Sequence, residues 1–205
     1  MLAYILKGIV LGISAGFSPG PLSALVIKET LQHNTRAGML VGLAPLVTDA
    51  PIVLLSYFVL AHLTGISWLL GGIAFVGALF LGYLGYESIT IKPLVVETGK
   101  TRANSLLRGV LANFLSPNPY LFWLTVGSPL MITALQSNAW NLPAFLAGFY
   151  MCLISCKLLM AYLTGKSKAF ITGRAFLVIN RIMGILLFIL AALFVRDGVR
   201  FFIQK

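Results

Sequence analysis

The chain has 205 residues, 59% of them hydrophobic and only 10% charged, with a mean hydropathy of +0.97. Soluble domains carry roughly 25% charged residues, so this composition excludes an ordinary soluble fold and points to an integral membrane protein. Fifteen Lys and Arg against five Asp and Glu give a net charge of +10, but most of the basic residues lie between apolar runs, as in cytoplasmic loops, and no polar domain is left to bind nucleic acid.

Six apolar runs follow in order: about 3–27, 37–60, 68–89, 106–131, 142–164 and 176–195. Each suits the ~20 residues that a helix needs to cross hydrocarbon. The small residues Ser14-Ala15-Gly16 resemble a signal-peptide cleavage site. Cleavage is not expected, because it would remove the leading half of a segment whose later counterpart keeps its own. Only the loop 90–105 separates two halves, about 1–89 and 106–195, and the chain 1–205 reads as one transmembrane domain.

Three spans per half would place the second half upside down relative to the first, giving a 3+3 inverted repeat. Loops after spans one, three and five hold Lys28 and Arg36, then Lys92, Lys100, Arg102 and Arg108, then Lys166, Lys168, Arg174 and Arg181, whereas loops two and four hold no basic residue. The positive-inside rule then favours both termini outside the cytoplasm. The tail from Arg196 to Lys205 mixes basic residues with Phe201, Phe202 and Ile203 and is expected to lie along the interface.

Spans one and four are broken. Ser18-Pro19-Gly20-Pro21 interrupts the first and Ser116-Pro117-Asn118-Pro119 the second, after the similar leads Gly8-Ile9-Val10-Leu11 and Gly109-Val110-Leu111-Ala112. Proline has no N–H and clashes with the carbonyl four residues back, so carbonyls at Ala15, Phe17, Asn113 and Leu115 should be freed. Beyond each break a half-helix would begin, with exposed N–H groups at Leu22, Ser23 and Ala24 and at Tyr120, Leu121 and Phe122. Unsatisfied backbone cannot face lipid, so the two ends should converge on a protein-lined or wet cavity. Matched broken helices mark the binding site of a secondary transporter.

Asp49 is the only acid well inside an apolar run. A carboxylate at mid-membrane costs about 2.5–3.5 kcal/mol on insertion scales, which makes it a candidate for substrate binding and proton coupling. Pro45 and Pro51 flank it. Lys157 stands in the corresponding fifth span, so an Asp49–Lys157 ion pair is one expectation and an outward-snorkelling Lys157 the other. Cys152 and Cys156 share one helix face, which favours neither a disulfide framework nor a redox carrier with a thiol in each half. His33 and His62 read as interfacial residues, without the cluster that a metal site needs. Glu29 and Glu87 lie near span ends and are expected to be solvated, and the glycines Gly71, Gly72, Gly77, Gly82 and Gly85 to allow close packing of span three.

The combination of Gly16-Phe17-Ser18-Pro19-Gly20-Pro21, Arg36-Ala37-Gly38, Asp49 and Asn118-Pro119 resembles the LysE and RhtB-type amino-acid exporters over nearly the whole chain. The resemblance implies efflux of an amino acid or related small molecule across the inner (plasma) membrane of a prokaryote, by a secondary mechanism and without a cofactor. Three departures mark a divergent branch: Tyr120 where the family commonly has a basic residue, Pro117 making a double-proline motif, and Lys157 where an apolar or aromatic residue is usual.

The expected site therefore comprises Ser18, Pro19, Gly20, Pro21, Ser23, Asp49, Asn113, Ser116, Pro117, Asn118, Pro119 and Tyr120. A substrate carboxylate would meet the two half-helix N-termini and its ammonium Asp49 or the freed carbonyls. Its partners would be the bilayer, the solute and a proton, with a homodimer left open. The rival expectations are efflux of a divalent metal cation and a membrane scaffold without transport.

Overall fold

The computed structural model describes residues 1–63, 67–90, 104–166 and 174–203, and every regular element among them is helical. In chain order these are α1 (Leu2–Phe17), α2 (Pro21–Gln32), α3 (Thr35–Gly42), α4 (Pro45–Leu63), α5 (Ser67–Thr90), α6 (Ser105–Phe114), α7 (Pro117–Phe122), a π-helical turn (Trp123–Gly127), α8 (Ser128–Ser137), α9 (Asn141–Lys166) and α10 (Arg174–Ile203). The sequence carries the reason for most of these boundaries. Pro21, Pro45 and Pro117 open α2, α4 and α7, where a missing N–H is harmless, and Asn34 caps α3 by accepting from the Ala37 N–H at 2.9 Å.

Among the described residues, four stretches are long and apolar enough to cross a membrane: Thr35–Leu60, Gly71–Thr90, Asn141–Lys166 and Leu177–Val199. A fifth is the pair α1 and α2, bent by 58° at the first proline motif. The fourth span, expected to break once, is divided into α6, α7, the π-turn and α8. Ser116-Pro117-Asn118-Pro119 makes the first interruption, and Pro129, which cannot donate to a carbonyl one turn back, follows the π-turn. The tail expected along the interface continues α10 without a break to Ile203. The segment expected to separate the halves falls largely on residues 91–103, outside those described, as do Lys92, Lys100, Arg102 and Lys168.

The most extensive helix pairings are α1 with α9 and α5 with α10. At the first, α1 lays glycines against backbone: a side chain at Gly8 or Gly12 would run into the carbonyls of Phe145 and Phe149. Of the span-three glycines, Gly77 and Gly85 do face close neighbours, Thr125 and Gly184, while Gly72 and Gly82 have nothing within 4 Å. The main core gathers Leu11, Ile52, Leu81, Trp123, Phe145, Phe149 and Leu187, all at most 2% exposed. Apolar residues also cover outward faces, such as Leu54, Leu55 and Phe58 on α4 and Ile185 and Ile189 on α10. Hydrocarbon rather than water suits such a surface.

Candidate binding cavity between two broken helices

At the first break α1 closes with the Ser18 N–H donating to the Ser14 carbonyl at 2.9 Å. Pro19 has no donor, Gly20 is extended at φ 159°, ψ 176°, and Pro21 begins α2. No side chain caps α2, and the bond from the Ala24 N–H to the Gly20 carbonyl at 2.9 Å engages a donor expected to be free. Leu22 and Ser23 remain as the donors of the opening turn. Ser23 also donates its hydroxyl to the Ser18 carbonyl at 2.7 Å, folding the new helix back over the break.

The second break differs. The helix restarts at Pro117, two residues before the expected position, and the Ser116 hydroxyl caps it through the Asn118 N–H at 3.4 Å. Ser116 also donates its N–H to the Asn113 carbonyl at 3.3 Å, so that carbonyl is not free as expected. The Tyr120 hydroxyl reaches back to the Phe114 carbonyl at 2.9 Å, and its ring packs edge-on against Phe114. Its own groups therefore close this break. A Cβ at Gly20 would stand 3.6 Å from Asn118 Nδ2, so the two breaks lie against one another.

Between them is a cavity of about 110 Å³. Of the residues expected at the site, all but Pro117 and Tyr120 line it. Pro117 is exposed at the first position of α7, and Tyr120 is occupied in bracing the break behind it.

Asp49 enters from α4, 4% exposed. Its Oδ1 accepts from Asn113 Nδ2 at 3.0 Å, and its Oδ2 accepts from Trp123 Nε1 at 3.3 Å and the Tyr150 hydroxyl at 3.5 Å. These donors are neutral, so they satisfy oxygens without supplying a countercharge. Lys157 enters from α9, 3% exposed, and donates to Ser23 Oγ at 2.6 Å. The ion pair expected between Asp49 and Lys157 does not form, and neither does Lys157 snorkel. Each charge is held at a different break: Lys157 through Ser23 at the first, Asp49 through Asn113 at the second. Both face the same cavity.

Aromatic rings form the wall behind Asp49. Phe149 stacks on Phe122 at 5.2 Å, and Trp123 meets Phe149 edge-on and stacks with Tyr150. A side chain at Gly127 would collide with the Trp123 ring, so the π-turn seats the indole that reaches the acid. Single-turn π segments frequently occur at functional sites. Trp123, Phe149 and Tyr150 are the participants that sequence reasoning missed, and Pro129 was the one available signal for the irregular turn.

Glu29 corrects a second expectation. It is fully buried, not solvated, and accepts from Arg108 Nη1 at 2.8 Å and from Ser105 Oγ at 2.7 Å, with His33 Nε2 at 3.6 Å. The cluster ties α2, which follows the first break, to α6, which precedes the second. Cys152 and Cys156 are free thiols on α9, and a Cβ at Gly16 would press on Cys156.

Residues 13–198 match the family described as LysE type translocator. The chemotactic transduction protein ChpE of Pseudomonas aeruginosa is 28% identical over 155 residues, covering 73% of this chain and 76% of the relative. The arginine exporter protein ArgO of Salmonella paratyphi A is 23% identical over 210 residues, covering 97% and 96%. No solved structure matches. The apolar helices and the extent of the family match lead to one conclusion: this multi-pass membrane chain belongs to the LysE type translocator family.

Proposed function

We propose that this protein is a secondary transporter that exports an amino acid or a related small molecule across the plasma membrane of a prokaryotic cell, with proton movement through Asp49 as the coupling step. The observation that carries this reading is the meeting of two broken helices at a cavity lined by one buried carboxylate and one buried ammonium, neither paired with the other. The export of arginine named for one relative supports the amino-acid class.

The helix pairings support a 3+3 inverted repeat. Span one packs on span five through α1 and α9, and span four packs on span two through α6 on α3 and through α6, α7, the π-turn and α8 on α4. Span three pairs with span six as α5 with α10. Exchange of the halves maps the first two pairings onto one another and the third onto itself. The glycines agree: Gly8 faces Phe145 of span five, and Gly109 faces Val41 of span two. Rocking of one half on the other around the cavity is then the natural route to alternating access.

Coupling follows from charge. A substrate ammonium and a proton would compete for Asp49, so arrival of the proton releases the solute. One charge moved through 100 mV is worth about 2.3 kcal/mol, roughly a fifty-fold gradient.

The test is efflux from proteoliposomes loaded with all common amino acids and a set of divalent metal ions, under an imposed pH gradient, with the released solutes identified by mass spectrometry. An amino acid should leave, and Asp49→Asn, inserted and folded, should reduce its proton-driven efflux to background. Efflux of metal alone, an Asp49→Asn variant with unchanged proton dependence, or no efflux from folded protein would overturn the reading.

A further inference from the structure

The cavity contains two buried charges of opposite sign and no ion pair joins them. Lys157 has three N–H donors, and among the described residues its hydrogen bond goes to Ser23 Oγ alone. Asp49 is surrounded by neutral donors, with no cation within 4.0 Å among the described residues. A buried charge without a counterion is costly unless something else supplies one. Both charges face the space between the breaks, so a ligand in that space can complete both pairs at once. Phe80, Leu84, Phe122, Phe149 and Leu153 add apolar surface to its boundary, and among the described residues no other charged residue lines it.

We propose that Lys157 and the opening turn of α2 hold the carboxylate of a zwitterionic ligand while Asp49 holds its ammonium, which restricts the substrate to small amino acids with an uncharged side chain. The assignment rests on the amino-acid reading above and sharpens it. A carboxylate beside Lys157 would also lie near the uncapped α2 N-terminus, where the Leu22 and Ser23 N–H groups and the helix dipole favour an anion. Size agrees with charge: about 110 Å³ is the room of about four waters at about 30 Å³ each, which favours a small ligand over a long one. A cationic side chain would bring a third charge against the apolar wall, where the described residues offer no second carboxylate to meet it. Substrate choice should therefore differ from that named for the arginine-exporting relative, and Lys157 is the residue that sets it.

The experiment is calorimetric binding to the purified full chain in lipid nanodiscs. The probes are L-alanine, L-serine and L-valine, their amides, the matching acids without the amino group, and L-arginine. At least one neutral amino acid should bind, with its amide, its amine-free acid and arginine each at least tenfold weaker. In Lys157→Met that amino acid should weaken at least tenfold while its amide stays within twofold. If Lys157→Met does not fold, the wild-type series still decides, and Ser23→Ala, which releases the Lys157 head group, should narrow the gap between amino acid and amide. Equal binding of amino acid and amide in the wild type, or equal weakening of both in Lys157→Met, would overturn the carboxylate subsite. Arginine binding more tightly than every neutral amino acid would overturn the substrate class while leaving amino-acid transport standing. If folded protein binds no amino acid at all, this inference and the function it rests on both fall.

Discussion

The two proline motifs have nearly the same letters and end in different states. Ser18-Pro19-Gly20-Pro21 leaves an uncapped α2 with Lys157 held beside it through Ser23. Ser116-Pro117-Asn118-Pro119 is closed by its own chain: the Ser116 hydroxyl caps α7, the Ser116 N–H takes up the Asn113 carbonyl, and Tyr120 takes up that of Phe114. A proline break frees backbone groups, but the side chains around it decide whether they remain available to a ligand. The first break keeps its helix N-terminus open beside the cavity, whereas the second holds Asn113 against Asp49.

That contrast can be broken at its hinge. Glu29 ties the helix after one break to the helix before the other, so Glu29→Ala should loosen both and leave Arg108 without its partner. Losing one partner of a fully buried pair costs about 3–5 kcal/mol; Arg108 is 31% exposed, so the lower end is expected. A thermal unfolding midpoint in detergent should fall clearly, and Glu29→Ala combined with Arg108→Met should recover part of the loss. An unchanged midpoint would remove the clasp.

The next effects separate the breaks. Ser23→Ala takes the partner from Lys157 and the donor from the Ser18 carbonyl, and an unsatisfied buried group costs about 1–3 kcal/mol. Substrate affinity should fall about tenfold, near 1.4 kcal/mol, in a binding titration. Pro21→Ala, which adds an N–H beside the cavity and lets α2 extend, should lower transport by a comparable factor, whereas Pro117→Ala, at an exposed first helical position, should leave it within about threefold. Equal losses in vesicle efflux at both prolines would mean that the breaks are functionally alike. The smallest effect is expected at Tyr120→Phe, which costs the Phe114 carbonyl its donor, about 0.5–1.5 kcal/mol of stability, with the substrate preference unchanged.

Much of the cavity was legible because its signals are local. Paired prolines within an apolar run and a lone acid such as Asp49 are costly in hydrocarbon, so they stand out in one sequence, and so does Lys157. What they would touch was not legible. Matching spans suggested either an Asp49–Lys157 pair or a snorkelling Lys157, yet each charge is held inside by a hydroxyl or amide partner of its own. Glu29 read as a solvated acid because Ser105 and Arg108 lie 76 and 79 residues away along the chain. Trp123 and Phe149 are aromatic like the outward Phe58, and at Trp123 the π-turn spoils the helical periodicity that would have told inside from outside. The fourth span was read as broken once, at Ser116-Pro117-Asn118-Pro119; its second interruption, the π-turn before Pro129, was not legible because length and hydropathy count residues and ignore the donor that a proline removes.

The most direct test of the account is a solid-state NMR distance in lipid between the carboxylate carbon of a bound, ¹³C-labelled neutral amino acid and the ¹⁵N-labelled Nζ of Lys157. The account predicts that the two lie within about 4 Å, as in an ion pair. A bound ligand whose carboxylate shows no coupling to Lys157 would contradict it.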